Sequence, residues 1–469
     1  MCYTYKNNFS RLTEEMYMNI IIAGDGNVGS SIAKQLSAEG HDITLVDSDG
    51  SVLETSLEKI DVISVKGNCA SMAVLRQAKV ESADLLIAAT GADEVNLLCC
   101  TTAHGMNPNI HTIARIRNPE YTDQIYEMHD IFGLSLAVNP ERQTAVEIER
   151  LLKYPGFLQR DTFAKGRAEI VELRVDKGSA LCDLPLKHLN ATVKCNVLVC
   201  AVIRGGETVT PNGDFVLSEG DRVFFTAPTN NLAKLLKNLK VITRRVKRVM
   251  LVGGGRVSYY LAQLLLKDGM SVRIIEDDKE RCRVLAESLP EAEVFCGNVA
   301  DRSVLEYEGL SECDALVTLT GVDELNMIVS LRATAKGVPT VITKLNNVEN
   351  RTIIDSLSLR SVVCPKELCC ESIVRYVRAM QNQSGAAISV HAIADGQAEA
   401  VEFLVEKDTP NCGIPLKNIR TRDDVLISSI TSGSKTIIPN GESTFASGDI
   451  VVIVTGGRGS IRQLKDIFD

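Results

Sequence analysis

The residues with the plainest chemical purpose are glycines. Gly24, Asp25, Gly26, Asn27, Val28 and Gly29 follow an apolar run, Ile20 to Ala23, and open an amphipathic stretch. In a strand–turn–helix of this kind the first glycine permits the tight turn. The second lets the backbone approach a pyrophosphate, and the third lets the helix pack close to the sheet. The helix N-terminus then offers free N–H groups and a positive dipole to phosphates. Asp47 closes the next apolar run, Ile43 to Val46. A carboxylate there accepts hydrogen bonds from both ribose hydroxyls and repels a 2′-phosphate, which favours NAD(H) or another adenine nucleotide over NADP(H).

The same set of residues occurs twice. Gly253, Gly254, Gly255, Arg256, Val257 and Ser258 repeat the glycine cluster, and Glu276 repeats Asp47. Asn68 recurs as Asn298, each after a glycine, and the segment Thr90, Gly91, Ala92, Asp93, Glu94, Val95, Asn96 recurs from Thr320 and Gly321 to Asn326. Arg115, after the run Ile110 to Ala114, is matched by Lys344, so each copy carries a cation at the carboxyl edge of its sheet, beside the phosphates. Asp93 and Asp323 are expected to cap the helices that they open. In the second copy Ser258 replaces the third glycine, and Arg256 stands at the helix start, where it either contacts phosphate or fills its space. Leu184 to Lys187, Pro211 to Gly213 and Gly220-Asp221 recur as Ile414 to Lys417, Pro439 to Gly441 and Gly448-Asp449. A nearly constant offset of about 230 residues means one two-domain unit in tandem.

Catalytic groups do not repeat. The six histidines, His41, His104, His111, His129, His188 and His391, have no histidine equivalents in the other copy and no metal-ligand spacing. Cys99, Cys100 and His104 can share a helix face, and Cys364, Cys369 and Cys370 cluster, but without C-x-x-C spacing they read as buried structural thiols. No catalytic or metal-ligating residue is assigned.

The elements that must position the glycines are legible as rhythm. Short apolar runs at Ile20 to Ala23, Ile43 to Val46, Val62 to Val65, Leu85 to Ala89 and Ile110 to Ala114 alternate with amphipathic stretches, the pattern of βαβ units in a parallel sheet. Near Pro155-Gly156 a helical stretch (Glu141 to Leu152) gives way to strand-like segments, Glu169 to Val175, Val197 to Ile203 and Arg222 to Thr226, separated by glycine turns. The fold class is therefore α/β: two tandem Rossmann-like doubly wound parallel-sheet domains, each followed by a small α+β domain. Residues 1–17 are polar and without period and read as a loose tail or an upstream start; the basic run Lys240 to Lys247 reads as a solvated linker.

Composition narrows the function classes. With 51 basic against 60 acidic residues the formal net charge is -9, which repels polyanions and argues against nucleic-acid binding. No apolar run approaches the roughly 18 residues that span a bilayer. Fourteen cysteines without a secretory signal read as reduced thiols in a cytosolic chain.

Taken together, the glycine clusters, Asp47 and Glu276, the paired T-G-x-D-E-x-N segments and the P-L-K and P-N-G…G-D modules resemble the regulator of K+ conductance (RCK, or KTN) family, in the tandem form of the peripheral subunits of Trk potassium-uptake systems. The likeness runs from about Met18 to Asp469. It implies a first N-lobe over 18–140, a crossover helix and hinge over 141–156 and a C-lobe over 157–240. A second N-lobe then occupies 247–364, a second crossover helix 365–384 and a second C-lobe 385–469. It further implies NAD(H) or ATP/ADP as ligand, a dimer or tetramer building a ring, a membrane K+ channel or transporter subunit as partner, a cytoplasmic place on the inner face of the membrane, and no catalysis. A soluble NAD-dependent oxidoreductase is the alternative reading. Ala145, Ile148, Leu151 and Leu152 form one apolar helix face, expected to pack against a partner N-lobe.

Overall fold

The computed structural model describes residues 17–153, 160–239, 246–347, 359, 361–380, 387–394, 397–422, 424–456, 461 and 463–468. The tail 1–16, Pro155-Gly156 and residues 240–245 of the basic run lie outside the described residues. Two units result: residues 1–140 with Ser372–Val374, and residues 141–371 with 375–469.

The first unit is built on parallel strands β1 (Asn19–Ala23), β2 (Asp42–Asp47), β3 (Ile63–Lys66), β4 (Leu85–Ala88), β5 (His111–Arg115) and β6 (Leu136–Val138). They lie in the order β3-β2-β1-β4-β5-β6. Helices α1 (Asn27–Ala38), α2 (Gly50–Leu57), α3 (Met72–Gln77), α4 (Asp93–Met106) and α5 (Pro119–Phe132) connect them. Every residue of β4 is buried, as is β1 from Ile20 onward, as a strand covered by helices on both faces requires. Order reverses between β1 and β4, so the crevice at their carboxyl ends is the topological switch point, where open α/β sheets bind ligands.

The second unit opens with α6, a helix over Pro140–Lys153. Two strands with a short turn between them follow, β7 (Arg160–Phe163) and β8 (Ala168–Arg174). Helix α7 (Leu189–Val193), strands β9 (Leu198–Arg204), β10 (Glu207–Val209) and β11 (Arg222–Pro228), and helix α8 (Thr229–Asn238) complete the first C-lobe, whose sheet is antiparallel in the order β10-β9-β11-β8-β7.

A second parallel sheet has β12 (Arg248–Val252), β13 (Ser271–Glu276), β14 (Glu293–Cys296), β15 (Ala315–Thr318), β16 (Thr340–Lys344) and β17 (Ser361–Val363). Its order, β14-β13-β12-β15-β16-β17, repeats the first. Its helices are α9 (Arg256–Lys267), α10 (Lys279–Ser288), α11 (Arg302–Tyr307) and α12 (Asp323–Ala335). Helix α13 (Pro365–Met380) leads to the second C-lobe, with β18 (Ala387–Ile393), β19 (Ala398–Leu404), β20 (Val425–Ser432), β21 (Lys435–Ile437) and β22 (Ile450–Thr455).

The apolar face of α6 does meet an N-lobe, and it is one of the same chain. Ala145, Ile148, Leu151 and Leu152 are buried in one core with Val249 and Leu251 of β12 and Tyr260, Leu261 and Leu265 of α9. Lys153 fixes the end of that helix through Glu149 at 2.6 Å and Asp268 at 2.9 Å. The expected partner is therefore intramolecular: the linear tandem gives α6 a second N-lobe to cover it.

The two C-lobes also share a core, in which Phe163, Ile170 and Phe224 of one meet Ile393, Ala400 and Val452 of the other. Two repeat-equivalent residues face each other there, Asp161 and His391, with Oδ1 and Nδ1 3.0 Å apart. Buried Glu402 accepts from the Ala164 amide at 3.1 Å and the Ser389 hydroxyl at 2.9 Å. The repeated P-L-K and G-D modules are lobe scaffolding. The Lys187 and Lys417 amides donate to the Gly213 and Gly441 carbonyls, and Asp221 takes a two-pronged bond from Arg204.

Candidate nucleotide site

At the first switch point two loops touch. Gly24 has φ +98, and a β-carbon on it would stand 2.8 Å from the Thr90 amide nitrogen. The chain can make this turn, at this distance from the Thr90 loop, only with glycine. A β-carbon on Gly29 would lie 1.8 Å from the Gly24 carbonyl oxygen, so the third glycine is what lets α1 seat against the turn. Gly26 and Gly91 face open space instead. Gly26 is the N-cap of α1, with no side-chain capping bond and no acidic residue in the first turn. The helix start, with Asn27 and Val28 in its first turn, therefore keeps its N–H groups for an incoming anion.

Asp47 stands at the end of β2 with its carboxylate already oriented. One oxygen accepts from the Asp25 amide at 2.7 Å and the other from the Asp49 amide at 2.9 Å. Each oxygen retains a further lone pair for a ribose hydroxyl. Asn68 lies in the loop after β3, where its side-chain oxygen accepts from the Ala70 amide at 3.0 Å. Asp25, within the glycine turn, is 1% exposed. Burial pushes its carboxyl up, against the Ser56 hydroxyl, which lowers it; the Asp47 charge pushes it further up.

The T-G-x-D-E-x-N segment works differently from the capping expected of it. Asp93 does not cap α4; its carboxylate accepts the Arg117 and Asn118 amides at 2.8 and 2.7 Å, pinning the loop after β5. Thr90 and Asn96 organise the turn instead. The Asn96 side-chain oxygen accepts from the Thr90 amide at 2.9 Å and hydroxyl at 2.7 Å, and its NH2 donates to the Arg115 carbonyl at 2.8 Å. Fully buried Asn96 thus ties the β4 loop to the end of β5, where Arg115 sits. Arg117, not singled out from the sequence, donates to the Gly91 carbonyl. Asn96 had a legible signal, repetition in register as Asn326; Arg117 had none.

The second switch point repeats this frame. Gly253 has φ +102 and would meet the Thr320 amide at 2.9 Å, and Gly255 caps α9 as Gly26 caps α1. The Thr320 amide and hydroxyl donate to Asn326 at 3.0 and 2.7 Å, while Asn326 donates to the Lys344 carbonyl at 3.0 Å. Asp323, like Asp93, does not cap its own helix and accepts from the Asn346 and Asn347 amides. Gly321 faces open space, and Asn298 repeats the Asn68 turn, accepting from the Ala300 amide at 2.9 Å.

The differences lie in side chains. Ser258 is fully buried and its hydroxyl donates to the Gly253 carbonyl, so the bulk added at the third glycine position is absorbed by a hydrogen bond. Val257, beside it on α9, is core. Arg256 is the first residue of α9. Where the first lobe has Asp25, the second has Gly254, whose amide donates to Glu276 and whose carbonyl accepts from Arg281 Nε at 2.8 Å. Burial pushes the Glu276 carboxyl up, but amide donors from Asp278, Asp277 and Gly254 outweigh it and hold the group below its usual range. Lys344 is 9% exposed; burial lowers its ammonium, opposed by Asp323 and Glu141.

Both crevices are thus glycine-walled, with an uncapped helix start and an acidic group one strand away. Family models place this assembly: the TrkA-N domain matches residues 20–140 and 249–365, and the TrkA-C domain matches 170–240 and 400–469. The chain belongs to the TrkA family. The chain is 31% identical to the Trk system potassium uptake protein TrkA of Halomonas elongata, covering 96% of this chain and 98% of that one. A TrkA homolog of Archaeoglobus fulgidus is likewise 31% identical, over 96% of this chain and all of its own. Among solved structures, the GsuK channel bound to NAD aligns over 95% of this chain and 78% of its own, with a TM-score of 0.61 at 17% identity. The GsuK RCK domain aligns over 94% and 93%, with a TM-score of 0.61 at 16% identity. At that identity the likeness concerns the fold alone. Among the described residues no helix of this TrkA-family chain is long and apolar enough to cross a membrane.

Proposed function

We propose that this chain is the nucleotide-sensing regulatory subunit of a Trk-type potassium-uptake system, taking NAD(H) or ATP/ADP in its N-lobes and acting on a membrane K+ channel or transporter subunit from the cytoplasmic side, as a dimer or tetramer that builds a ring. One observation carries the reading: the crevice at the switch point, with an uncapped helix start and an oriented carboxylate, occurs twice, and no histidine repeats beside it. The main-chain N–H groups after Gly26 and Gly255 would hold phosphate, and Asp47 and Glu276 would hold ribose. Thr90, Gly91, Thr320 and Gly321 would form the opposite wall, and Arg115, Arg256 and Lys344 would supply charge at its far end.

An oxidoreductase needs an acid or base beside its cofactor. His41 and His111 stand at the amino ends of β2 and β5, and His104 and His129 lie in the last turns of α4 and α5, all at the edge of the sheet opposite the crevice. The second N-lobe sequence has no histidine at all. What remains is binding energy itself as output. A ligand shifts a conformational equilibrium only by its differential affinity for the two states, so NADH and NAD, or ATP and ADP, must contact the lobes differently. A tenfold preference supplies about 1.4 kcal/mol per site.

The test has two stages. The purified chain is titrated with NADH, NAD, ATP and ADP, then reconstituted in liposomes with a Trk-type membrane K+ transporter subunit. Binding of at least one nucleotide, and K+ flux that changes when the chain and then that nucleotide are added, support the reading. Flux that is the same under all conditions overturns it and reopens the oxidoreductase alternative.

A further inference from the structure

The ribose end of the second N-lobe carries two sulfur atoms that the first lacks. Cys296 is the last residue of β14 and pairs in register with Glu276 on β13. Its counterpart beside Asp47 in the first lobe is Lys66. Cys282 lies on α10, where the first lobe has Leu53. Cys282 Sγ is 3.4 Å from the Glu276 carbonyl and 4.0 Å from the Phe295 carbonyl, and Cys296 Sγ is 3.9 Å from the Asp277 carbonyl. The two thiols thus rest on two consecutive peptide groups, and the Cys296 thiol acts on the ionisation of Cys282. Among the described cysteines Cys296 is the exposed one, while Cys282 is half-buried behind it.

We propose that Cys282 and Cys296 form a reversible disulfide, a redox latch between α10 and β14 that alters ligand binding in the second N-lobe alone. The oxidant is a peroxide. The Cys296 thiolate attacks one peroxide oxygen and the O–O bond breaks, leaving a sulfenic acid and, after protonation, water or an alcohol. Cys282 sulfur then attacks the sulfenic sulfur; the S–S bond forms, and hydroxide leaves with the Cys282 proton as water. Two thiols are oxidised and one peroxide is reduced. Burial, then the Cys296 thiol and the charges of Glu276 and Asp278, push the Cys282 thiol up to about 11, which disfavours it as the first attacker and leaves that step to the exposed sulfur of Cys296.

The bond would be felt at the site because its anchors are site residues. Cys282 follows Arg281, whose guanidinium holds the Gly254 carbonyl, and both thiols rest on the strand end that carries Glu276. Drawing α10 toward β14 shifts Arg281 and the Glu276 main chain together. The first lobe, with Leu53 and Lys66, has no such link to make.

The bond itself stands apart from the nucleotide reading; only its effect on binding rests on it. The full-length chain is treated with graded hydrogen peroxide and mapped without reduction after cleavage at glutamate. Peptides 281–287 and 294–306 are expected to join with loss of two hydrogens, to separate with dithiothreitol, and to stay apart in Cys282→Ser and Cys296→Ser. NADH titration of reduced and oxidised chain, with Glu276→Ala to mark the second site, is expected to show a several-fold change in second-site affinity and none in the first. Cys296 over-oxidising without a cross-link, either thiol pairing elsewhere, or a cross-link that leaves NADH affinity at the second site unchanged overturns the latch. Binding of none of NADH, NAD, ATP and ADP to either form, with the cross-link present, overturns the nucleotide reading and with it the latch's action on binding, and leaves the disulfide standing.

Discussion

In the first N-lobe the glycine turn holds a buried carboxylate; in the second, the same position has no side chain at all. Asp25 and Gly254 sit on backbones that are otherwise alike, since the N-cap residues Gly26 and Gly255 have φ/ψ of −75/−171 and −68/−176. A β-carbon on Gly254 would stand 2.6 Å from Leu285 and 2.8 Å from Glu276. Glycine there lets the longer Glu276 reach back to the turn, as shorter Asp47 does beside a residue with a side chain. Charge has diverged with shape. The first turn combines Asp25 and Asp47; the second combines Glu276 with Arg256 and Arg281. The frame of the crevice is thus set by backbone and duplicated faithfully, while the field over it differs between lobes, so the two sites are expected to rank ligands of different phosphate charge differently.

The largest effect should come from outside the crevices. Ile148→Ala is expected to cost about 2–5 kcal/mol by opening a cavity. The loss should fall on the second N-lobe, whose core includes Ile148. Hydrogen exchange should then show faster opening of β12 amides and unchanged β1 amides; the reverse would break the assignment of α6 to the second lobe. In the first crevice, Asp47→Ala removes charge-assisted hydrogen bonds of about 1.5–3 kcal/mol each. First-site NADH affinity should fall and discrimination against NADPH should vanish in a binding titration. Equal NADH and NADPH affinity in the unaltered chain would sink this reading of Asp47.

Next come the third-glycine positions. Gly29→Ala should destabilise the first N-lobe by about 1–3 kcal/mol through overpacking. Ser258→Ala should cost only about 0.5–1.5 kcal/mol, the hydrogen bond to Gly253 being what it removes. Urea unfolding followed lobe by lobe would separate the two, and equal losses would mean that the turns are not packed as differently as Ser258 indicates.

The smallest effect concerns Asp25. Its carboxyl is raised in the folded state, so its contribution to stability is fully present below the unfolded value of about 3.9 and is lost as pH rises through the folded value. Asp25→Asn should therefore raise the thermal midpoint of the first lobe at about pH 7, with the gain shrinking toward about pH 4. A gain that is the same at both pH values would show that ionisation of Asp25 is not its cause.

The sequence pattern made the parallel strands legible to within a residue or two, because burial on both faces leaves continuous apolar runs such as Ile20 to Ala23 and Leu85 to Ala89. The glycine turns were legible because each glycine answers a separate steric demand. Other features were hidden for definite reasons. β6 and β17 are three-residue edge strands, too short to show a period. Asp93 stands where a capping residue would, but tertiary distance decides otherwise: amides of the loop after β5 lie within reach and out-compete the helix's own. Asn96 was visible in the repeat, yet its role depends on the β5 carbonyl that it meets across the fold. The destination of α6 depends on which lobe comes to rest against it, and an amphipathic stripe records only that something must.

The contact between Asp161 and His391 carries a lesson about symmetry. These are equivalent positions of the two halves, brought face to face where the C-lobes meet. In an assembly of identical chains, a two-fold axis at that point would set like against like: two carboxylates, or two imidazoles. Joining the halves in one polypeptide lifts that restriction. Each half can drift separately, and a mismatch that identity would forbid becomes an acid–base pair. Covalent linkage also holds the halves at a fixed effective concentration, so their pairing does not weaken on dilution as it would between free chains. Duplication followed by fusion thus turns an axis of symmetry into a place where asymmetry can accumulate.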